Sequence, residues 1–358
     1  MTKILTSVVH GYSNLHVNTP GAKRPALWIV SNNERVLQSY TFPRNPKEFE
    51  LLGDLLIGEK PFPNAPDFET LPRFGFTGLS DTKDHIYAGA WNAVYKINKH
   101  DYGLEAIITN HLMNDPHGIW ANEDMLITIL TSKDSVVFTD HCGQVIDHFT
   151  IHRNLRVVKD DSLDHIDWRF ISKQFRGSTG YWHFNNIQKF DNEIWLTSRN
   201  ANSFVVVDLE QRTASLRLMN FDTPVLLHDG IKRRQRFYFT SIDGKIIIAE
   251  DHKTTELKQH NRETLGKPDL YNQDLITKTI RLKDTEYGSD PNWCRGIEVR
   301  DGIIYVSIDG RYGTDLSFGL LGLGEEDYKM LFHYRLRWSE VGDEKDLKYV
   351  TGFAVLSI

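Results

Sequence analysis

Residues 295–310 read RGIEVRDGIIYVSIDG, and residues 229–244 read DGIKRRQRFYFTSIDG. Each stretch starts with a polar residue, a Gly and an aliphatic, passes a polar turn, and runs through aromatic and β-branched residues to Ser-Ile-Asp-Gly. Asp-Gly after such a run marks a hairpin turn between β-strands. The same unit recurs upstream: Thr77-Gly78-Leu79 before HIYAGAW, His117-Gly118-Ile119 before MLITILT, and Asn185-Asn186-Ile187 before EIWLTSR. In the clearest copies two more strands follow, SVVFTDH with QVIDHFTI, and SFVVVDL with ASLRLMN. Four short antiparallel strands per repeat is the pattern of a propeller blade.

Successive copies begin 40, 68, 44 and 66 residues apart. Two of these spacings fit a bare blade and two exceed it by roughly 25 residues. A sixth unit assembles from the N-terminus, with ALWIVSN as a second strand, RVLQSYTF as a third, and the C-terminal TGFAVLSI closing the ring. SVVHGYSN, with His10-Gly11-Tyr12, reads as the first strand of that unit. The fold class is therefore all-β, one β-propeller domain over residues 1–358. Six blades fit best, with five or seven as the alternatives. The extra lengths, at about residues 152–182, 261–292, 45–72 and 311–328, read as loops crowding one mouth of the channel, as a lid or as decoration. KDDSLDHIDWRF, residues 159–170, reads as a solvated part of the first of them.

Composition agrees with one folded body. The 358 residues carry 42 Lys and Arg against 48 Asp and Glu, a net charge of −6, with 40 % hydrophobic and 11 % aromatic residues. A mildly acidic chain has no broad basic footprint for nucleic acid. No run of about 18 apolar residues marks a membrane span, and the polar start of the chain does not resemble a secretion signal. The expected setting is cytoplasmic. The two Cys, 142 and 294, read as lone thiols. The sequence does not set an oligomeric state.

Inner strands of a propeller approach the axis, so the first residue of each repeat should rim the channel. That column is Thr77, His117, Asn185, Asp229 and Arg295, with His10 as a sixth. Polar groups recurring at one structural step are costly in a dry core, about 1–3 kcal/mol each when unpaired, and suit a hydrated or ligand-binding channel. Beside the column stand Asp115, His183, His228 and Trp293, with Trp182 next to His183. His117, His183 and His228 open three successive blades and could bind zinc or iron, or serve as bases and hydrogen-bonding groups. Asn185 and Asp229 offer oxygen ligands for calcium, magnesium or manganese. Arg295 suits an acid group. Thr77, Trp182, Trp293 and His228 complete the expected substrate contacts. No P-loop, dinucleotide fingerprint or serine nucleophile elbow occurs.

Six blades, Gly-aliphatic pairs after the axial residues, and Asn185 with Asp229-Gly230-Ile231 in neighbouring blades resemble the gluconolactonase or regucalcin type of propeller. That resemblance implies one axial divalent cation held by a Glu, two Asn and an Asp, the Asp also acting as base in lactone hydrolysis. Asn185 and Asp229 match the last Asn and the Asp. Thr77-Gly78-Leu79 stands where the family has Glu-Gly-Pro, and His117 stands near the other Asn. The leading expectation is an enzyme acting on a small polar, acidic molecule, with Asp229, His117 and Arg295 as catalytic groups. Metal-assisted hydrolysis of a lactone or ester, or a lyase or isomerase step, is the expected reaction. A His-ligated iron or zinc enzyme and a non-enzymatic binding propeller are the alternatives.

Overall fold

The computed structural model describes residues 3–11, 26–31, 37–41, 56–58, 73–90, 92–159, 167–170, 180–217, 225–250, 256–258, 277–282, 294–308, 311–312, 315–337 and 349–357. Among them the chain forms a β-propeller. The five repeat copies become five antiparallel blades whose four strands follow chain order. Their innermost strands are Gly78–Asp81, Pro116–Ala121, Phe184–Phe190, Leu227–Arg233 and Cys294–Arg300. These blades are numbered I to V below. A sixth sheet joins the two ends of the chain, in the order Tyr349–Ser357, Lys3–Gly11, Ala26–Ser31, Leu37–Thr41. Each innermost strand packs beside the next around the ring, and Tyr349–Ser357 lies between blade V and blade I.

Both faces of every blade are covered, which is why the strands read as apolar runs rather than as alternating patterns. Successive residues on a strand point to opposite faces, so in blade III Ile194, Leu196, Val205 and Val207 pack toward blade II. Trp195, Phe204 and Val206 pack with Phe237 and Phe239 of blade IV. Tyr87, Val94 and Ile108 of blade I meet Ile119, Leu126 and Val137 of blade II. Ile231 and Ile246 of blade IV meet Val299 and Val306 of blade V. The sixth sheet is held in the same way, by Leu5 against blade I and by Ile4 and Val355 against Tyr305 and Leu320 of blade V.

The innermost strands approach closely, and glycine allows it. A Cβ on Gly78 would stand 2.3 Å from the His117 carbonyl oxygen, and one on Gly118 would stand 3.1 Å from the Asn186 Cα. Threonine hydroxyls stitch the same boundaries. Thr77 donates to the Pro116 carbonyl, Thr131 to that of Phe184, Thr197 to that of Gly230 at 3.2 Å, and Thr240 to that of Arg295. Each bond crosses from one blade to the next.

Several expectations change. His10 lies in the second strand of the sixth sheet, paired with Val350, because the C-terminal strand takes the innermost place. ALWIVSN and RVLQSYTF accordingly supply the third and fourth strands. Residues 261–292 contain Thr277–Arg281, the fourth strand of blade IV, so the added length precedes that strand. Residues 311–328 are mostly the long third strand of blade V, Asp315–Gly324. Of residues 45–72 only Leu56–Gly58 is described, running parallel to Leu104–Thr109 on the outer edge of blade I. Of residues 159–170, the part from Asp167 to Phe170 docks on the segment that leads from blade I into blade II. There the Trp168 N–H donates to the His111 carbonyl at 2.7 Å, and Asn114 donates to the Trp168 carbonyl. Arg169 is buried with Asp167, which accepts its Nε at 2.8 Å. Cys142 is exposed and Cys294 buried, both free thiols. No helix among the described residues is long and apolar enough to cross a membrane.

Replacing Thr197 or Thr131 by Val keeps the volume and removes a stitch, and should cost about 1 kcal/mol in each case. Gly78→Ala should cost more, since backbone must move. Urea unfolding with an unchanged slope would register both losses as lower midpoints; midpoints equal to that of the parent chain would show that the stitches carry no stability.

Candidate axial site

Each of four innermost strands carries one extra residue near its start. His117-Gly118 oppose Ile129 alone, Asn185-Asn186 oppose Thr197, His228-Asp229 oppose Thr240, and Arg295-Gly296 oppose Ser307. Bulges of this kind re-aim side chains out of the regular pleat. The register therefore puts His117, Asn185, His228 and Arg295 at one step, with Asp229 one residue further on. In the sixth sheet Phe353-Ala354 oppose Ser7, so Phe353 holds this step instead of His10. In blade I the paired register starts with Gly78 opposite Gly89, and the Thr77 N–H donates to the Gly89 carbonyl at 2.8 Å. Thr77 directs its hydroxyl to the backbone carbonyls of Gly89, at 3.3 Å, and Pro116, and so serves as a stitch between blades I and II.

The polar cluster is buried: Asn185, His117, Asp115, His228, Asp229, His183 and Arg295 are all below a tenth exposed. His228 Nδ1 lies 2.9 Å from Asp229 Oδ1, and its Nε2 lies 3.4 Å from Arg295 Nη1. A guanidinium can only donate. Nε2 is thereby the accepting nitrogen and Nδ1–H donates to the carboxylate, so the contacts themselves select the tautomer. On the other side His117 Nδ1 stands 3.2 Å from the Asp115 carbonyl and 3.6 Å from its Oδ1. Donation from Nδ1 leaves Nε2 as the basic nitrogen of His117. The His183 ring is 6.0 Å from that of His117, between centroids. Among the described residues neither the amide oxygen nor the amide nitrogen of Asn185 has a hydrogen-bond partner.

Burial governs the charges. It pushes the His183 imidazole down to about 2, helped by His117, Arg199 and His228 and opposed by Asp115. It pushes the Asp229 carboxyl up to about 8, against the pull of Arg295 and His117. The chain enters blades II and III through left-handed residues, Asp115 at φ 56° and His183 at φ 51°. Such backbone costs a non-glycine residue of order 1 kcal/mol and clusters at functional sites.

Trp182 does not rim the channel. It is 1 % exposed, donates its indole N–H to the carbonyls of Ile151 and His152 at 3.2 and 3.1 Å, and stacks on Phe184 in the core between blades II and III. Trp293 lies outside the described residues. Asp115 and Asp134 enter as participants that the repeat column did not contain. Asp115 was legible as an acid two residues before His117, whereas Asp134, in a polar turn, carried no signal.

Both nitrogens of His228 are engaged, Arg295 adds a positive charge beside it, and among the described residues no three His, Cys, Asp or Glu side chains converge to hold a metal ion.

The two titrating groups predict opposite pH effects. Asp229 is protonated more readily folded than unfolded, so between about pH 4 and 8 the folded state loses stability as pH rises. His183 behaves inversely: its contribution is full above about pH 6.5 and is lost as pH falls. Melting temperature across this range should flatten in Asp229→Asn on the alkaline side and in His183→Gln on the acid side. A profile identical to that of the parent chain in both variants would refute this assignment.

No protein-family model matches the chain, and no curated protein matches it. Solved structures do. One, from the crystal structure of a nidogen/laminin complex, aligns over 100 % of this chain and 98 % of its own with a TM-score of 0.53 and 8 % identity. A hydrazine synthase from Kuenenia stuttgartiensis aligns over 81 % of this chain and 70 % of its own, with a TM-score of 0.44 and 9 % identity. At such identities the likeness is one of fold: the chain is similar to β-propellers.

Proposed function

We propose that the axial ring binds a small polar molecule carrying an acid group and transfers protons to or from it. The observation that carries this reading is Asn185. It is 2 % exposed, has both polar ends of its amide unpaired among the described residues, and occupies the same register step as a buried arginine and two histidines. An unpaired buried polar group costs about 1–3 kcal/mol. A ligand offering both a donor and an acceptor would recover that cost on binding.

In this reading Arg295 holds the acid group, for which its planar donor fork is suited. Asn185 reads a neighbouring carbonyl through its NH2. His117, oriented by Asp115, is the general base, with Nε2 as the working nitrogen. His228 and Asp229 keep Arg295 in place, so Asp229 supports the site instead of acting as the base. Hydrolysis of a lactone or ester follows directly from this set. His117 takes a proton from water as its oxygen attacks the carbonyl carbon, Asn185 stabilises the oxyanion, and the imidazolium returns the proton to the departing alkoxide. A lyase or isomerase step would use the same base and acid clamp. No step is assigned to a metal: among the described residues no three His, Cys, Asp or Glu side chains converge to hold one.

A thermal-shift panel of small hydroxy acids, keto acids and lactones tests the reading. A true ligand at a hundred times its Kd stabilises the fold by about 2.7 kcal/mol. Arg295→Gln and Asn185→Leu should lose that shift for acids, and His117→Gln should keep it while losing turnover of the matching lactone or ester. Acids that stabilise the parent chain and Arg295→Gln equally would sink the proposal.

A further inference from the structure

Asp134 lies in the turn between Leu126–Leu130 and Ser135–Thr139 of blade II, 4 % exposed and itself left-handed at φ 51°. Its carboxylate reaches across to the chain that leads into blade III. Oδ2 accepts the Trp182 N–H at 3.0 Å and Oδ1 accepts the His183 N–H at 3.1 Å, with the Tyr181 N–H as a further donor. A Cβ on Gly180 would stand 2.3 Å from Oδ1, so the backbone is wrapped around the carboxylate with no room for a side chain. Consecutive N–H groups turned toward one anion form a nest. Two adjacent N–H donors aimed at two oxygens require a carboxylate, because an amide offers one accepting oxygen only.

The far side of the segment is held as well. Ser198 Oγ donates to the Trp182 carbonyl at 2.6 Å, and the Arg199 N–H donates to the His183 carbonyl at 3.2 Å. Between these grips His183 keeps its left-handed conformation, and its ring comes to rest 6.0 Å from His117. Burial pushes the Asp134 carboxyl up to about 7 although its N–H donors pull it down. A buried acid is a costly way to tie two blades together where threonine hydroxyls do so at this boundary and at three others.

We propose that Asp134 is a positioning residue of the axial site: its carboxylate holds residues 181–183 in the conformation that sets the His183 ring beside His117. What His183 then does for a ligand rests on the axial reading above, but the position of its ring does not.

The test therefore uses the full-length chain without ligand. Ring cross-relaxation between His183 and His117, the His183 ring chemical shift, and amide exchange at Trp182 and His183 are measured by NMR. The comparison covers the parent chain, Asp134→Asn, Gly180→Ala and Thr197→Val. Gly180→Ala displaces the carboxylate without altering its charge and carries the test by itself if Asp134→Asn fails to fold. Both variants should move the His183 ring signal, abolish its cross-relaxation to His117, and speed exchange at the two amides at least tenfold. Thr197→Val should lower the unfolding midpoint and leave all three unchanged. A His183 signal and cross-relaxation that survive in the folded Asp134 or Gly180 variant would overturn the proposal and reduce Asp134 to a staple between blades. A failure of every acid or lactone to bind would touch only the proposed function.

Discussion

Antiparallel pairing of Tyr349–Ser357 with Lys3–Gly11 is the constraint on which the ring depends. It places the last strand of the chain on the axis and joins it to the first, so the sheet that would otherwise present an open edge has none between blades V and I. With that closure every blade gains a neighbour on both faces. The aromatic layer of Trp195, Phe204, Phe237 and Phe239 and the smaller seal of Ile4, Val355, Tyr305 and Leu320 are two instances of one arrangement. Side chains on one strand divide by parity between the two interfaces.

Closing a ring of strands around an axis leaves little room at the centre, and the chemistry of the site follows from how that room is made. Glycines at 78 and 118 let backbone approach backbone. The extra residue in each of four innermost strands then breaks the pleat at the same height. His117, Asn185, His228 and Arg295 reach the same step because the bulge recurs. Their burial raises the energetic stakes of every unpaired group and moves His183 and Asp229 far from their ordinary ionisation. The hydrogen-bonded run from Arg295 through His228 to Asp229 is one way the fold offsets this cost. The unpaired Asn185 amide is where it does not.

Strand content and repeat were legible because both have local causes. Runs such as EIWLTS and RFYFTS are rich in β-formers and end in polar turns, and Gly after a polar residue marks the close approach. Registers were not legible. Asp229 aligned with His117 and Arg295 when the Gly-aliphatic pair was used as the guide, yet the bulge shifts the ring step to His228. A one-residue insertion changes which side chain occupies a step without changing the hydrophobic pattern. Thr77 and Trp182 were placed at the axis for the same reason, since residue type does not tell whether a hydroxyl or an indole faces a channel or a neighbouring carbonyl.

The sequence by itself determined an all-β chain of repeated four-stranded units, with polar residues at the head of each and a mildly acidic composition. These follow from local propensity and period, which neighbouring residues express without reference to the rest of the chain. Only the tertiary structure decided that the C-terminal strand takes the innermost place in the sheet that closes the ring, and that His228 and Arg295 form a bonded pair from separate blades. It alone brought Asp134 across from blade II to grip the chain leading to His183. Each of these joins residues whose separation along the chain carries no information about distance, so packing and register had to set them.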